Sequence, residues 1–162
     1  MLPLQGCLIP LAGLPFVGGS SERFMMGHLG SRTKVKLKTI TFSAANDANK
    51  NSATHIHLVL VYDPHMIAEF FKMPAQTYFK NKYYQQLQRD HRSTLHMYSY
   101  QVPPGSKIGP IRVSTEGTPV AGFIFADYQT PGDHRIRISE ERHMMVMLDK
   151  TEWHVMPNEG ED

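Results

Sequence analysis

The sequence predicts a mostly β protein, folded as a two-layer antiparallel β-sandwich with a short helical insertion. Short runs of β-branched and aromatic residues recur at intervals of about 8–15 residues, and clusters of Gly, Pro, Asn and Asp separate them. Only one region of the chain carries the hydrophobic period of a helix. Strands at this spacing are typical of a sandwich, because βαβ units would alternate each strand with a helix.

The composition limits the class of protein. The 162 residues carry 17 Lys and Arg against 15 Asp and Glu, and 41% of them are hydrophobic. Such a chain can bury the core of one domain, and its charges form no basic block of the kind that binds nucleic acid. No apolar run approaches the ~20 residues that span a bilayer. The single cysteine excludes a disulfide framework within the chain and a four-thiolate zinc site.

The sandwich is predicted to begin at Lys34, where KVKLKTITF alternates lysines with apolar residues. This alternation is typical of a strand with one solvated and one buried face. Its phase shifts near Thr39 and Ile40, which indicates a β-bulge. A polar, asparagine-rich loop follows at 43–54, and HIHLVLVY (55–62) is predicted to be a central strand.

The helical insertion is predicted to follow that central strand. In DPHMIAEFFKM, Asp63 can cap a helix and Pro64 suits its first turn. Pro74 ends or kinks this helix, because proline cannot continue the hydrogen-bond pattern. A second helical stretch then places three apolar residues on one face, and they are predicted to be core: Phe79, Tyr83 and Leu87.

The rest of the domain is predicted to be a succession of short strands separated by turns. The almost continuously apolar run PVAGFIFADY is expected to be buried on both faces. The predicted strands are LHMYSYQV (95–102), IRV (111–113), PVAGFIFADY (119–128), RIRIS (135–139), RHMMVML (142–148) and EWHVM (152–156).

Segments of different texture flank the predicted domain, which spans 34–156. Residues 1–33 are rich in Gly and Pro and have no sustained period, so they are predicted to be a tether. In this segment LQGC resembles the lipobox of bacterial lipoproteins, which makes Cys7 a candidate for acylation. Two alternatives stay open: an accidental cysteine, or an ordered arm that packs on the domain. The acidic tail, 157–162, is predicted to be exposed.

The histidines offer the only candidate for a metal site. His55 and His57 lie two residues apart, so a strand places both imidazoles on one face. A metal-binding strand of this kind also needs a carboxylate ligand nearby, and the first acid downstream is Asp63. The preferred interpretation is that both histidines line the solvent face while Ile56 and Leu58 point inward. We therefore expect no metal and no cofactor.

No catalytic motif supports an enzyme. The sequence lacks a nucleophile elbow, a P-loop, a dinucleotide fingerprint and a zinc-protease motif. Asp127, Asp133 and His134 cluster near one turn, but no nucleophile with an orienting base accompanies them. We expect a protein that is not an enzyme.

The order of these segments resembles a known family, the outer-membrane lipoproteins of the type VI secretion membrane complex (TssJ-like). The resemblance covers residues 34–156 and extends to Cys7. It depends on the asparagine-rich stretch 43–51, on VYDP where a strand runs into a helix, on the PPGSK turn and on GFIFADYQTPGDHRIRI. Gln5, where a lipobox usually has a small residue, and the histidine-rich second strand depart from the family pattern.

This resemblance implies a transthyretin-like sandwich anchored by its lipid to the periplasmic face of the outer membrane. Leu8 is not the aspartate that retains lipoproteins at the inner membrane, so the implied location is the outer membrane. The implied partner is the periplasmic region of a large inner-membrane protein, which the loop from Ala44 to Thr54 would bind. The exposed candidates in that loop are Asn46, Asp47, Asn49, Lys50 and Asn51.

Two other functions remain open. One is a lipoprotein or pilotin of a different envelope-spanning secretion system. The other is a soluble, histidine-rich β-sandwich that binds metal or carbohydrate through His55 and His57.

Overall fold

A computed structural model describes residues 34–82, 86, 89, 94–138 and 140–158. Within them the chain forms eight strands in two four-stranded sheets. The first sheet has the order β4-β1-β7-β8 and the second has the order β3-β2-β5-β6. The strands are β1 (Thr39–Ala44), β2 (Thr54–Val61), β3 (Leu95–Val102), β4 (Lys107–Arg112), β5 (Ala121–Asp127), β6 (Arg135–Ile138), β7 (His143–Leu148) and β8 (Trp153–Pro157).

The predicted β-sandwich is confirmed, with one exception to its antiparallel pairing. Five of the six strand pairs are antiparallel, whereas β1 and β7 run parallel, from Thr39 opposite His143 to Ala44 opposite Leu148. Alternate residues of both sheets point into the space between them, where they are fully buried. The largest of these are Ile40, Phe42, Ile56, Leu58, Leu60, Ile124 and Ile138.

The first strand begins later than the sequence indicates. The alternation from Lys34 does reflect burial, because Val35 and Leu37 are buried and the lysines are exposed. Those residues are held by single hydrogen bonds instead of a ladder, for example from the Lys38 amide to the Arg142 carbonyl (2.7 Å). The predicted bulge is confirmed by the shift of register against β4 between Ile40 and Phe42.

Among residues 62–81, the helical insertion forms a 3₁₀ turn, Pro64–Met66, and two short helices, α1 (Ile67–Lys72) and α2 (Ala75–Lys80). The Asp63 carboxylate caps the 3₁₀ turn by accepting from the His65 amide (2.9 Å). Pro74 separates the two helices, as the sequence indicates. Tyr83 and Leu87 lie outside the described residues. No described helix combines the length and the apolar character that crossing a membrane requires.

The insertion forms a second core on the outer face of the second sheet. Phe70 of α1 lies 5.8 Å from Phe123 and 6.1 Å from Phe125 between ring centroids. Tyr78 of α2 stacks on Phe125 at 4.1 Å with an interplanar angle of 9°. With a core on each side, β5 is buried from Ala121 to Ala126. The expectation that this strand is buried on both faces is confirmed.

Candidate functional site: the loop end of the sandwich

The asparagine-rich loop lies at one end of the sandwich, between the last residue of β1 and the first of β2. Its centre, Ala48–Asn51, is a single helical turn with an unusual backbone. Asn49, Lys50 and Asn51 all have positive φ angles, of 47°, 55° and 63°. This left-handed conformation costs about 1–2 kcal/mol for each L-residue, and asparagine adopts it more often than most residues do. A turn of this kind persists only where other contacts hold it.

The side chain of Asn49 supplies those contacts. It is 2% exposed, and its Nδ2 donates to the Asp127 carbonyl (3.1 Å) while its Oδ1 accepts from the Gln129 amide (2.8 Å). The Asn49 amide itself donates to the Asp149 carbonyl (3.0 Å). The expectation that Asn49 is exposed is therefore wrong, because its side-chain amide turns inward to bond with backbone groups at the end of β5 and in the loop that follows it.

The other four residues of the predicted set are exposed. Asn46, Asp47, Lys50 and Asn51 present their side chains to solvent around the buried Asn49. Asp47 and Lys150 form an exposed ion pair at 4.0 Å, a kind of contact that contributes little to stability. The structure thus brings these four side chains together as one polar surface. We name this surface, together with the neighbouring β3–β4, β5–β6 and β7–β8 connections, the loop end.

Three more connections belong to the loop end, because the links after β3, β5 and β7 emerge on the same side as the link after β1. In the β3–β4 turn Gly105 has φ of +71°, and a Cβ there would lie 2.8 Å from the Asn46 Oδ1. In the β5–β6 loop the Thr130 hydroxyl donates to the Thr151 carbonyl of the β7–β8 hairpin (2.6 Å). The Gln129 side chain also donates to the Ser52 hydroxyl.

Tyr128 joins the β5–β6 loop to the β7–β8 hairpin. Its hydroxyl donates to the Asp149 carbonyl (2.9 Å), the same carbonyl that accepts from the Asn49 amide. Burial, and then the nearby Asp149 charge, raises the pKa of the Tyr128 phenol, so this hydroxyl keeps its proton at neutral pH. Sequence analysis did not assign these two loops to the site. The turn residues TPGD at 130–133 were the available signal. They mark a loop that follows an odd-numbered strand, as the asparagine-rich loop does, and such loops lie at the same end of the sandwich.

A depression of about 300 Å³ lies beside the loop end, between the start of α2 and the β5–β6 loop. His134 stacks on Tyr128 in its wall, with centroids 4.9 Å apart, and its Nε2 lies 2.8 Å from the Thr130 carbonyl. Asp133 pairs with Arg135 (3.5 Å). These contacts of His134 and Asp133 hold the β5–β6 loop in place.

The structure separates the two histidines of β2 more than their spacing indicates. His55 is exposed, and its Nε2 lies 2.9 Å from the Ser99 hydroxyl. His57 is 3% exposed, because α2 covers it and its Nδ1 lies 3.0 Å from the Tyr78 hydroxyl. The expectation that both line a solvent face is therefore wrong for His57. Burial, and then the charge of His55, lowers the pKa of His57 to about 4.

Metal binding by this histidine pair gains no third ligand from the structure. Among the described residues, no three His, Cys, Asp or Glu side chains lie close enough to share an ion. The rings of His55 and His57 are 4.8 Å apart and meet edge to face, and Phe79 packs against both.

Cys7 and the rest of the 1–33 segment lie outside the described residues, as do residues 159–162 of the predicted tail.

No protein-family model and no curated protein matches the sequence. Solved structures do match. The T6SS lipoprotein TssJ1 from Pseudomonas aeruginosa aligns with a TM-score of 0.53 and 12% identity, over 80% of this chain and 98% of that one. Serratia marcescens Lip, a membrane-bound component of the type VI secretion system, aligns with a TM-score of 0.50 and 14% identity, over 79% and 99%.

A third match is the C-terminal domain of the T6SS protein TssM from EAEC, with a TM-score of 0.51 and 11% identity, over 75% of this chain and 100% of that one. At these identities the comparisons concern the fold. The likeness to the TssJ-like family that the sequence indicates is confirmed in three dimensions, and this chain has the β-sandwich fold of the type VI secretion lipoproteins.

Proposed function

We propose that this protein is a non-enzymatic structural component of a type VI secretion membrane complex. The observation that carries the proposal is the fold, since the three similar structures described above are each named as part of that system. The loop end adds to it, because a rigid polar surface displayed by a sandwich is a common recognition element.

The proposed partner is the periplasmic region of a large inner-membrane protein of the TssM kind, and the proposed contact is the loop end. Asn46, Asp47, Lys50 and Asn51 are exposed there. Asn49 would act on binding indirectly, by holding the turn that displays them. Because hydrogen bonds fix the turn before any partner binds, ordering the turn would cost little conformational entropy on binding.

Charge reversal at the loop end tests this contact. Lys50→Glu keeps a long side chain on the same backbone and inverts its charge, so we expect about a tenfold or greater loss of affinity for the partner's periplasmic region. Lys36→Glu is the matched control, because Lys36 is exposed and directly follows Val35, whose side chain packs near Gly122 at the opposite end of β5 from Asp127. Titration calorimetry would measure both. Equal losses in the two variants would contradict a contact at the loop end.

The proposed location is the periplasmic face of the outer membrane, with Cys7 acylated. Bacterial lipoproteins carry several acyl chains, and stable anchoring needs more than one. Metabolic labelling with a fatty-acid analogue, in a Gram-negative host expressing the full-length protein, should label wild type and leave Cys7→Ser unlabelled. Fractionation should move the Ser variant from the outer membrane to the soluble periplasm. An unlabelled wild type would remove the anchor from the proposal.

A second candidate follows from the likeness to the TssM C-terminal domain. In that case the chain would take the place of the inner-membrane protein's periplasmic domain and bind a lipoprotein instead of being one. The two candidates differ in their partners. Capture by an acylated outer-membrane lipoprotein, together with an unlabelled Cys7, would favour the second.

A further inference from the structure

The outer face of the first sheet carries an unusual set of side chains on β7 and β8. Along β7, Met144, Val146 and Leu148 are buried in the core, so the alternate residues Met145 and Met147 point to the opposite face. Both are half-buried. Along β8, Trp153 is buried, whereas the two residues that alternate to the outer face, His154 and Met156, are exposed. Met156, at 48%, is the exposed large hydrophobic residue of the described part of the chain.

The register sets these four side chains in a rectangle. Met145 is opposite Met156, and Met147 is opposite His154. The Asp149 amide donates to the Glu152 carbonyl (2.9 Å), so these two residues form a hydrogen-bonded pair. Every second pair of an antiparallel ladder is of this kind, so Met147 with His154 and Met145 with Met156 are hydrogen-bonded pairs as well. Their Cα atoms are about 5.5 Å apart across the strands and about 7 Å apart along them. Long thioether side chains can bring their sulfurs from these corners to one central point.

Asp149 orients the imidazole at the fourth corner. Its Oδ2 lies 3.5 Å from the His154 Nδ1, and the two side chains are 55% and 56% exposed. A carboxylate beside Nδ1 favours the tautomer that carries its proton there, which leaves the Nε2 lone pair available. Histidines that bind metals are commonly held in this way.

We propose that Met145, Met147, Met156 and His154 form a site for a soft monovalent cation, Cu(I) or Ag(I). Thioether sulfur favours Cu(I) over hard cations, which prefer oxygen ligands, and imidazole completes a set of mixed sulfur and nitrogen ligands. Asp149 is a positioning residue in this arrangement. The site lies on the face opposite the helical insertion, and it does not depend on the secretion role.

The first test is Cu(I) competition with bathocuproine disulfonate under anaerobic, reducing conditions. The full chain should carry Cys7→Ser, because a thiolate also binds Cu(I). We expect this protein to take one equivalent of Cu(I). The double variant Met145→Leu/Met156→Leu should bind about 100-fold more weakly or not at all, and Asp149→Asn about 10–100-fold more weakly. Met66→Leu, in the helical insertion, is the matched control and should bind as the parent does.

A second measurement identifies the ligands without changing them. With methionine methyl groups labelled with ¹³C, Ag(I) should shift the resonances of Met145, Met147 and Met156. The resonances of Met66 and Met97 should stay in place. Absence of stoichiometric binding would overturn the proposal. So would shifts confined to other methionines, or Cu(I) affinity that survives the double variant. Leucine matches methionine in volume, so circular dichroism should show an unchanged fold in the variants.

Discussion

At the scale of single residues, Asn49 determines how the loop end is built. It adopts a backbone conformation that is unfavourable for an L-residue, and its buried side chain bonds to two backbone groups of the β5–β6 loop. Sequence reasoning placed Asn49 among the exposed loop residues, because an amide side chain is compatible with both solvent and a buried backbone. Only the tertiary fold brings Asp127 and Gln129 to it.

Alanine substitution separates the backbone strain from the hydrogen bonds. Asn49→Ala should lower the free energy of unfolding by about 3 kcal/mol, because it removes the hydrogen bonds to the Asp127 carbonyl and from the Gln129 amide and strains the left-handed turn. Asn51→Ala is the control, since Asn51 also has a positive φ angle but carries an exposed side chain. Its cost should be about 1 kcal/mol. Urea denaturation measures both, and equal costs would show that the buried hydrogen bonds contribute nothing.

The buried His57 should make stability depend on pH. Its pKa is lowered from 6.5 to about 4 in the folded protein, so between these values the unfolded chain binds a proton that the folded chain does not. The stability that the buried, neutral His57 contributes is fully present above pH 6.5 and is lost as the pH falls towards 4. It amounts to about 3 kcal/mol at most.

His57→Gln isolates this contribution. Denaturation between pH 7 and pH 4 should show a stability loss in the native protein that the variant largely lacks. His65→Gln, on the exposed 3₁₀ turn, should retain the native pH dependence. A fall in stability that is equally steep in the native protein and in His57→Gln would assign the pH dependence to other groups.

At the scale of elements, the sequence predicted which segments are strands better than how they pair. Period-two alternation reports burial, so it correctly marked Val35 and Leu37 as buried, but it cannot show whether a neighbour completes a ladder. The parallel pairing of β1 with β7 was also out of reach, because it depends on the path of the whole chain. The polar loop predicted at 43–54 was located to within two residues, since β1 ends at Ala44 and β2 begins at Thr54. It could be located because turn chemistry is local.

The helical insertion changes what the second sheet exposes. Sequence reasoning treated the outer face of β2 as solvated, and α2 covers it at His57. Packing between segments distant along the chain leaves no periodic signal in β2 itself. Without the insertion, the aromatic residues of β5 that face outward, Phe123 and Phe125, would lie in water.

Truncation of Phe70 tests how strongly the insertion is held. Phe70→Ala should cost about 3–5 kcal/mol, because the fully buried ring packs on Phe123 and Phe125. Phe71→Ala, at the adjacent half-buried position beside the Arg135 guanidinium (5.7 Å), should cost clearly less. Hydrogen exchange should report faster opening of 64–80 in the Phe70 variant. Equal stability losses would mean that the second core is not centred on Phe70.

At the scale of the whole molecule, the loop end is a single hydrogen-bonded structure assembled from four connections. In an eight-stranded chain that reverses direction at every step, the links after odd-numbered strands emerge on one side, and here they are bonded to one another. The Asp149 carbonyl accepts both from the Asn49 amide and from the Tyr128 hydroxyl. A perturbation in one loop should therefore reach the others, which isolated surface loops would not do.

A double-mutant cycle decides whether the loop end acts as a unit. Asn49→Ala and Tyr128→Phe remove bonds that converge on the same loops, so their combined effect on stability should differ from the sum by about 0.5–3 kcal/mol. Asn49→Ala combined with Val35→Ala is the control. Val35 packs near Gly122 and Asn49 bonds to Asp127, and these positions on β5 are about 17 Å apart, so their effects should add. Additivity in both pairs would mean that the four loops are independent. A partner that binds Lys50 would then gain nothing from the β5–β6 loop, and Tyr128→Phe would leave its affinity unchanged.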